Sequence, residues 1–179
     1  STFLAAAPPL GAGYGAARAG RLMLGVTLVA GVAGLVATGL LLDRVFRGNA
    51  KPALLAGFAL MSACVYALRF PAVTGNPVVL EPVLVAAGFG VQFALPAIYY
   101  FIAHAYPPAM AGKMTGLWTG MGASGGVLGV YLAGVTVRSR NSYDVTFTVQ
   151  AVVALAAFLL TFLLMEAGGR RGGRAATSE

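Results

Sequence analysis

GLLLDRVFRGNAKPALL, residues 39–55, sets how the rest of the chain is read. An uninterrupted apolar run stops at Asp43-Arg44. Arg47 and Lys51 follow, separated by the turn formers Gly48 and Asn49, and the apolar sequence then resumes. An acid placed first in such a break opposes helix electrostatics. If the preceding run is helical, Asp43 sits near its C-terminus, where a carboxylate costs about 0.3–1 kcal/mol against the macrodipole. The bases after it suit that end. The break is therefore a short polar connection between two apolar helices, and its acid needs a further reason to be there.

The composition says which kind of helices these are. Of 179 residues, 59% are hydrophobic and 9% charged, against roughly 25% charged in soluble domains. Mean hydropathy is +0.83. So few charges cannot cover a soluble domain of this size, so the chain is read as an integral membrane protein surrounded by the lipid bilayer. The net charge of +7 comes from bases placed singly or in pairs at the ends of apolar runs. That suits membrane flanks and not a nucleic-acid surface. One Cys and one His exclude a disulfide framework and a Cys/His metal cluster. Cys64, inside an apolar run, reads as a small buried hydrophobe.

Working outward, the uncharged or nearly uncharged runs fall at residues 22–42, 52–68, 78–104, 114–137 and 145–165. The first has 21 residues, enough to cross a hydrocarbon layer of about 30 Å as a helix. Residues 1–10 read as the stump of a further helix, with no basic n-region or cleavage site. The fold class expected is all-α: a polytopic bundle of five full transmembrane helices plus a partial N-terminal one. Residues 168–179, GGRRGGRAATSE, read as a basic flexible tail. Short connections imply that successive helices are antiparallel neighbours. The loops 43–51 and 105–113 and the tail hold seven of the 12 Lys and Arg residues: Arg44, Arg47, Lys51, Lys113, Arg170, Arg171 and Arg174. The excess favours a cytoplasmic opening loop and a cytoplasmic C-terminus.

Three helix faces stand out. Thr27, Gly31, Gly34 and Thr38 share one face of the first full span, and Thr115, Gly122, Gly126, Gly129 and Ala133 share one face of the fourth. Both read as small-residue packing seams, which could also slide during a conformational cycle. In the third span Glu81, Gly88, Gln92 and Tyr99 return to one line within about 20° at 100° per residue, with Pro96 one turn beyond Gln92 and freeing a carbonyl there. Lipid cannot satisfy such a polar line, so it faces either a solvated pathway or another helix. Glu81, near the helix end, reads as an interface residue. Trp118 reads as an interfacial anchor, with a stacking platform as the alternative. His104 ends the third span, where it can snorkel or cap.

Enzyme chemistry finds no support. The five acids, Asp43, Glu81, Asp144, Glu166 and Glu179, form no paired-carboxylate spacing. There is no phosphate loop, no nucleophile elbow and no H-E-x-x-H. Ser124 in GASGG lies mid-span with no base near it in sequence. No cofactor or metal is expected.

Gly39-Leu-Leu-Leu-Asp43-Arg44, with Arg47-Gly48 and Lys51, resembles the G-x-x-x-D-R-x-G-R-K signature of the major facilitator superfamily. Gly39, Asp43 and Arg44 fit; after Arg44 two residues precede Arg47, and Asn49-Ala50 precede Lys51. GAGYGAARAGRLMLGVTLVAGVAG resembles the first external loop of a six-helix half and the helix after it. MAGKMTGLWTGMGASGGVLGVYLAG with RSRNSYDVTF resembles helix eleven and its loop into helix twelve. The resemblance covers most of residues 10–167. It implies the C-terminal half of a twelve-helix transporter, helix seven partial and eight to twelve complete, whose N-terminal half is a missing partner. It also implies a central cleft and alternating access, with helix ten lining that cleft. The line of Gln92, Tyr99 and Glu81, with Trp118, is then the expected substrate pathway. Gly39, Asp43, Arg44, Arg47 and Lys51 become the expected cytoplasmic gating motif, with Asp43 latching onto a helix N-terminus of the other half. A turn acid paired locally with Arg47 is the plainer alternative.

The expected function is secondary active transport of a small solute, with a coupled proton or ion, in the plasma (inner) membrane. The alternative is a non-transporting scaffold or regulatory half-protein. Few acids favour organic metabolites or anions over a broad cation exporter as cargo.

Overall fold

The computed structural model describes residues 2–6, 11–140 and 143–169. Those residues form helices and connections, with no strand among them. Two helices are single turns, α1 (Thr2–Ala5) and α4 (Pro71–Thr74). Five are long: α2 (Gly15–Arg44), α3 (Ala50–Ala67), α5 (Pro77–Ala105), α6 (Pro108–Arg140) and α7 (Asp144–Gly169). All five are long and apolar enough to cross a membrane.

Local chemistry starts the helices where the chain turns. Asn49 caps α3, its Oδ1 accepting from the Lys51 amide at 3.1 Å. Asn76 caps α5 in the same way, accepting from the Val78 amide at 3.0 Å, with Pro77 in the first turn. Asn accepts the orphan N–H groups there, and proline has none to lose. α2 begins earlier than the uncharged run, so Arg18 and Arg21 lie on its first turns and not in a loop. Likewise Lys113 is inside α6, and Gly168 and Gly169 close α7. The expected tail from residue 170 onward, with Arg170, Arg171 and Arg174, lies outside the described residues, as do residues 1 and 7–10 of the expected stump.

The packing order departs from the chain order. α5 is the centre, with α2 on one side and α3 on another; α3 in turn packs on α7, and α2 and α3 touch little. Successive helices are therefore not always neighbours, because close contact follows the small residues and not the short loops. Gly57 of α3 and Gly90 of α5 make the tightest crossing: a Cβ on Gly57 would lie 2.9 Å from the Gly90 carbonyl oxygen. Two apolar clusters fill the ends of the bundle. Leu4, Ala19, Leu68, Leu80 and Phe147 gather at one end. Leu42, Ala50, Leu54, Phe93 and Ala97 gather at the other, beside the 45–49 turn. α6 is different. It meets α5 and α7 sparingly, and nothing in its membrane-length stretch is buried.

Candidate functional site

The turn after α2 is built by backbone bonds from its own last carbonyls. The amides of Val45 and Phe46 donate to the Leu41 oxygen, and the Gly48 amide donates to the Leu42 oxygen at 2.9 Å. Two successive residues are left-handed, Arg47 at φ 49° and Gly48 at φ 80°. Glycine accepts that conformation freely, whereas Arg47 is held there at a cost of about 1–2 kcal/mol. Gly48 also lies close under α5, since a Cβ there would fall 2.5 Å from the Tyr100 hydroxyl oxygen and would make that side chain shift. This turn is thus clamped to the C-terminal part of α5. Tyr100 stacks in turn on His104 at 4.0 Å, whose Nδ1 lies 2.9 Å from the Tyr100 carbonyl oxygen.

The clamp leaves the charged residues presented outward. Asp43, Arg44 and Arg47 are all exposed. The described ion pairs do not include Asp43 with Arg47; the one found joins Arg18 to Glu81. The plainer alternative of a local Asp43–Arg47 pair is therefore not formed. Gly39, one turn before Asp43, is open as well, with nothing within 4 Å of where a Cβ would stand. Lys51 alone of the motif turns inward. Its Nζ donates to the Phe162 carbonyl of α7 at 3.1 Å and lies 5.0 Å from the Phe162 ring centroid.

The polar line of α5 divides between two neighbours. Its first three residues face α2. Glu81 meets Arg18 at 3.8 Å, a half-exposed pair in which solvent screens the attraction. A Cβ on Gly88 would approach Val26 Cγ1 to 3.0 Å. Gln92 lies over two glycines of α2: a Cβ on Gly31 would be 3.2 Å from Gln92 Nε2, and one on Gly34 would be 3.0 Å from Gln92 Cβ. Among the described residues the Gln92 amide has no hydrogen-bond partner, although it is only part-buried. Tyr99 instead meets α6, its ring edge-on to Trp118 at 5.4 Å. Trp118 is thus packed on an aromatic neighbour.

Of the expected seam on α2, Gly31, Gly34 and Thr38 are buried against α5, whereas Thr27 is exposed and bonds its own helix at Met23. Thr38 is fully buried, and its Oγ1 lies 2.8 Å from both the Gly34 and Phe93 carbonyl oxygens. Its single proton is shared between them, tying α2 to α5 beside Gln92. On α6, Gly122, Gly126 and Gly129 face open space.

Sequence reasoning missed the Gly57–Gly90 crossing. The signal was present as small residues four apart, Ala53 with Gly57 and Gly90 with Ala94, which all four bury. It also missed the clamp of Gly48 on Tyr100, which no spacing announces.

The arrangement is that of a polytopic helical membrane protein with a tightly packed core and a polar line on its central helix. The chain matches the family model of the Major Facilitator Superfamily over residues 1–178. It belongs to that superfamily, a family of transporters. No curated protein and no solved structure matches it.

Proposed function

We propose that the chain moves a small solute across the plasma membrane by alternating access, coupled to a proton or another ion, as the C-terminal half of a twelve-helix transporter. In this reading α2, α3, α5, α6 and α7 are helices eight to twelve. The N-terminal half is supplied by chain outside this sequence. The observation that carries the reading is Gln92. An amide midway along a membrane helix, part-buried against two glycines and without a protein hydrogen bond, needs water or a solute to satisfy it. Tyr99, Trp118 and Glu81 extend the pathway along and beside the same line. The glycines of α2 let Gln92 lie close against that helix, so a shift of α2 on α5 would change what the amide meets.

Asp43, Arg44 and Arg47, with Gly39 and Lys51, form the cytoplasmic gate. Asp43 is exposed, uncompensated by Arg47 and set unfavourably at a helix C-terminus. Those properties suit a carboxylate reserved for a partner surface. The tail is cytoplasmic.

Uptake into proteoliposomes by the full-length protein tests both parts. Gln92→Leu should abolish uptake with expression intact; unchanged uptake removes Gln92 from the pathway. Asp43→Asn should slow transport and shift the inward/outward balance, and an unaltered balance ends the latch reading.

A further inference from the structure

Far from Gln92, α3 and α7 enclose an open groove of about 500 Å³. Its position matters first. The helices pack in the order α2, α5, α3, α7, so the groove lies at the opposite end of that row from the α2 glycines. Its chemistry matters next. Ala59 and Ala63 of α3 form one wall, and Leu155 and Phe158 of α7 form the other. The protons of its two aliphatic hydroxyls are already used. Ser62 Oγ donates to the Ala151 carbonyl at 3.1 Å, and Thr148 Oγ1 donates to the Asp144 carbonyl at 2.6 Å. Away from the Tyr66 hydroxyl at the mouth, these walls offer a polar solute no free donor, whereas hydrocarbon loses nothing by entering.

One end of the groove is not apolar in the same sense. Tyr66 lines it, and the Arg69 guanidinium stands 5.6 Å from the Tyr66 ring centroid. Arg69 is exposed and has no carboxylate partner among the described residues. Both residues close the C-terminal end of α3, the level at which Tyr and Arg mark a membrane interface. From Tyr66 back to Ala59 the wall descends seven residues, about 10 Å into the hydrocarbon. Asp144 opens α7 at the same end and is exposed, so a negative group would settle on the α3 side of the mouth.

We propose that this groove binds one acyl chain of an anionic phospholipid, whose phosphate is held by Arg69 at the mouth. Arginine presents a fork of N–H donors that matches phosphate geometry. Tyr66 holds the guanidinium over its ring and separates headgroup from chain. The site lies in the leaflet opposite the Asp43 turn.

The test uses the full-length protein in phosphatidylcholine vesicles with or without phosphatidylglycerol. Tyr66→Trp, with Trp118 and every Trp outside residues 1–179 replaced by Phe, places a single fluorophore at the mouth. Lipids brominated on the acyl chain then quench it. Brominated phosphatidylglycerol should compete for the site roughly fivefold better than brominated phosphatidylcholine, the preference one interfacial arginine supplies. Arg69→Gln should erase the preference, and Ala63→Phe, which fills the groove, should reduce quenching by both lipids. Equal quenching by the two headgroups overturns the proposal, as does a preference that survives Arg69→Gln or quenching indifferent to Ala63→Phe. No quenching by either lipid means another helix occupies the groove, and overturns it too. With Tyr66 intact, native mass spectrometry should find one phosphatidylglycerol retained per protein and lost in Arg69→Gln. Retention unaffected by that change would again refute the site.

Discussion

α5 and α6 follow one another in the chain, both run about thirty residues and both are rich in small residues, yet they have opposite fates. α5 is gripped by α2 and α3, and every glycine in it meets an atom of a neighbouring helix closely. α6 touches its neighbours sparingly, through Tyr99 with Trp118 and through Thr136 with Thr146 at 3.0 Å. Between those points Gly120, Gly122, Gly125, Gly126 and Gly129 contact nothing, and Met121, Val127, Val130 and Tyr131 project outward. A glycine-rich stripe therefore records a surface shaped for close approach; the approach itself needs a partner of matching shape. In a membrane this distinction is sharp, because lipid is as apolar as leucine and helices associate chiefly through such close fits.

The largest effect should come from the crossing that distinguishes α5 most. Gly57→Leu places side-chain atoms where the Gly90 carbonyl and the Ala94 methyl already stand. Backbone cannot yield as a flexible side chain does, so α3 and α5 must part. Overpacking of this kind should cost about 3 kcal/mol or more, read as a large fall in the thermal unfolding midpoint of the detergent-purified protein. A midpoint unchanged by Gly57→Leu would mean that α3 and α5 do not cross there.

A matched pair comes next in size. Gly34→Leu drives into Gln92 and the Phe89 carbonyl, and should cost about 1–3 kcal/mol. Gly126→Leu, with nothing within 4 Å, should stay within about 0.5 kcal/mol in this chain. Equal losses in the pair would break the contrast between the helices. A loss for Gly126→Leu that arises only in a longer protein would sharpen it, by showing that the α6 face is covered by helices outside residues 1–179.

These contrasts also mark what could be read from the letters. The five long helices were legible, since runs such as 22–42 leave no alternative to a spanning helix. Their ends were not, because Arg18, Arg21 and Lys113 look like loop charges until the helix is seen to continue past the apolar layer. The line from Glu81 to Tyr99 was legible from period alone, but period cannot say what stands opposite. Glu81, Gly88 and Gln92 meet α2, and Tyr99 meets α6. The same limit explains the two glycine seams, alike in sequence and unlike in contact. Packing partners depend on pairs of surfaces, and a single stripe holds half of that information. The separation of α2 from α3 was hidden for a related reason. The five residues between them fix their direction, whereas Gly90, Ala94 and Gly31 decide that α5 sits between.

The smallest effect isolates hydrogen bonding from shape. Thr38 and Ser124 both return a hydroxyl to the carbonyl four residues earlier, Thr38 to Gly34 at 2.8 Å and Ser124 to Gly120 at 2.9 Å. Only Thr38 has a second acceptor on another helix, the Phe93 carbonyl at 2.8 Å. Thr38→Val keeps the branched shape and removes the proton. It should cost about 0.6 kcal/mol, with an upper bound near 1.7, the range of inter-helix hydrogen bonds in membrane bundles. Ser124→Ala removes a bond that joins α6 only to itself, at an exposed position, and should leave the midpoint where it was. If both changes are silent, Thr38 holds α2 and α5 together by its shape, and the glycines around it carry the whole of that contact. If Thr38→Val alone lowers the midpoint, the hydroxyl adds a directional bond that fixes how α2 lies on α5 beside Gln92.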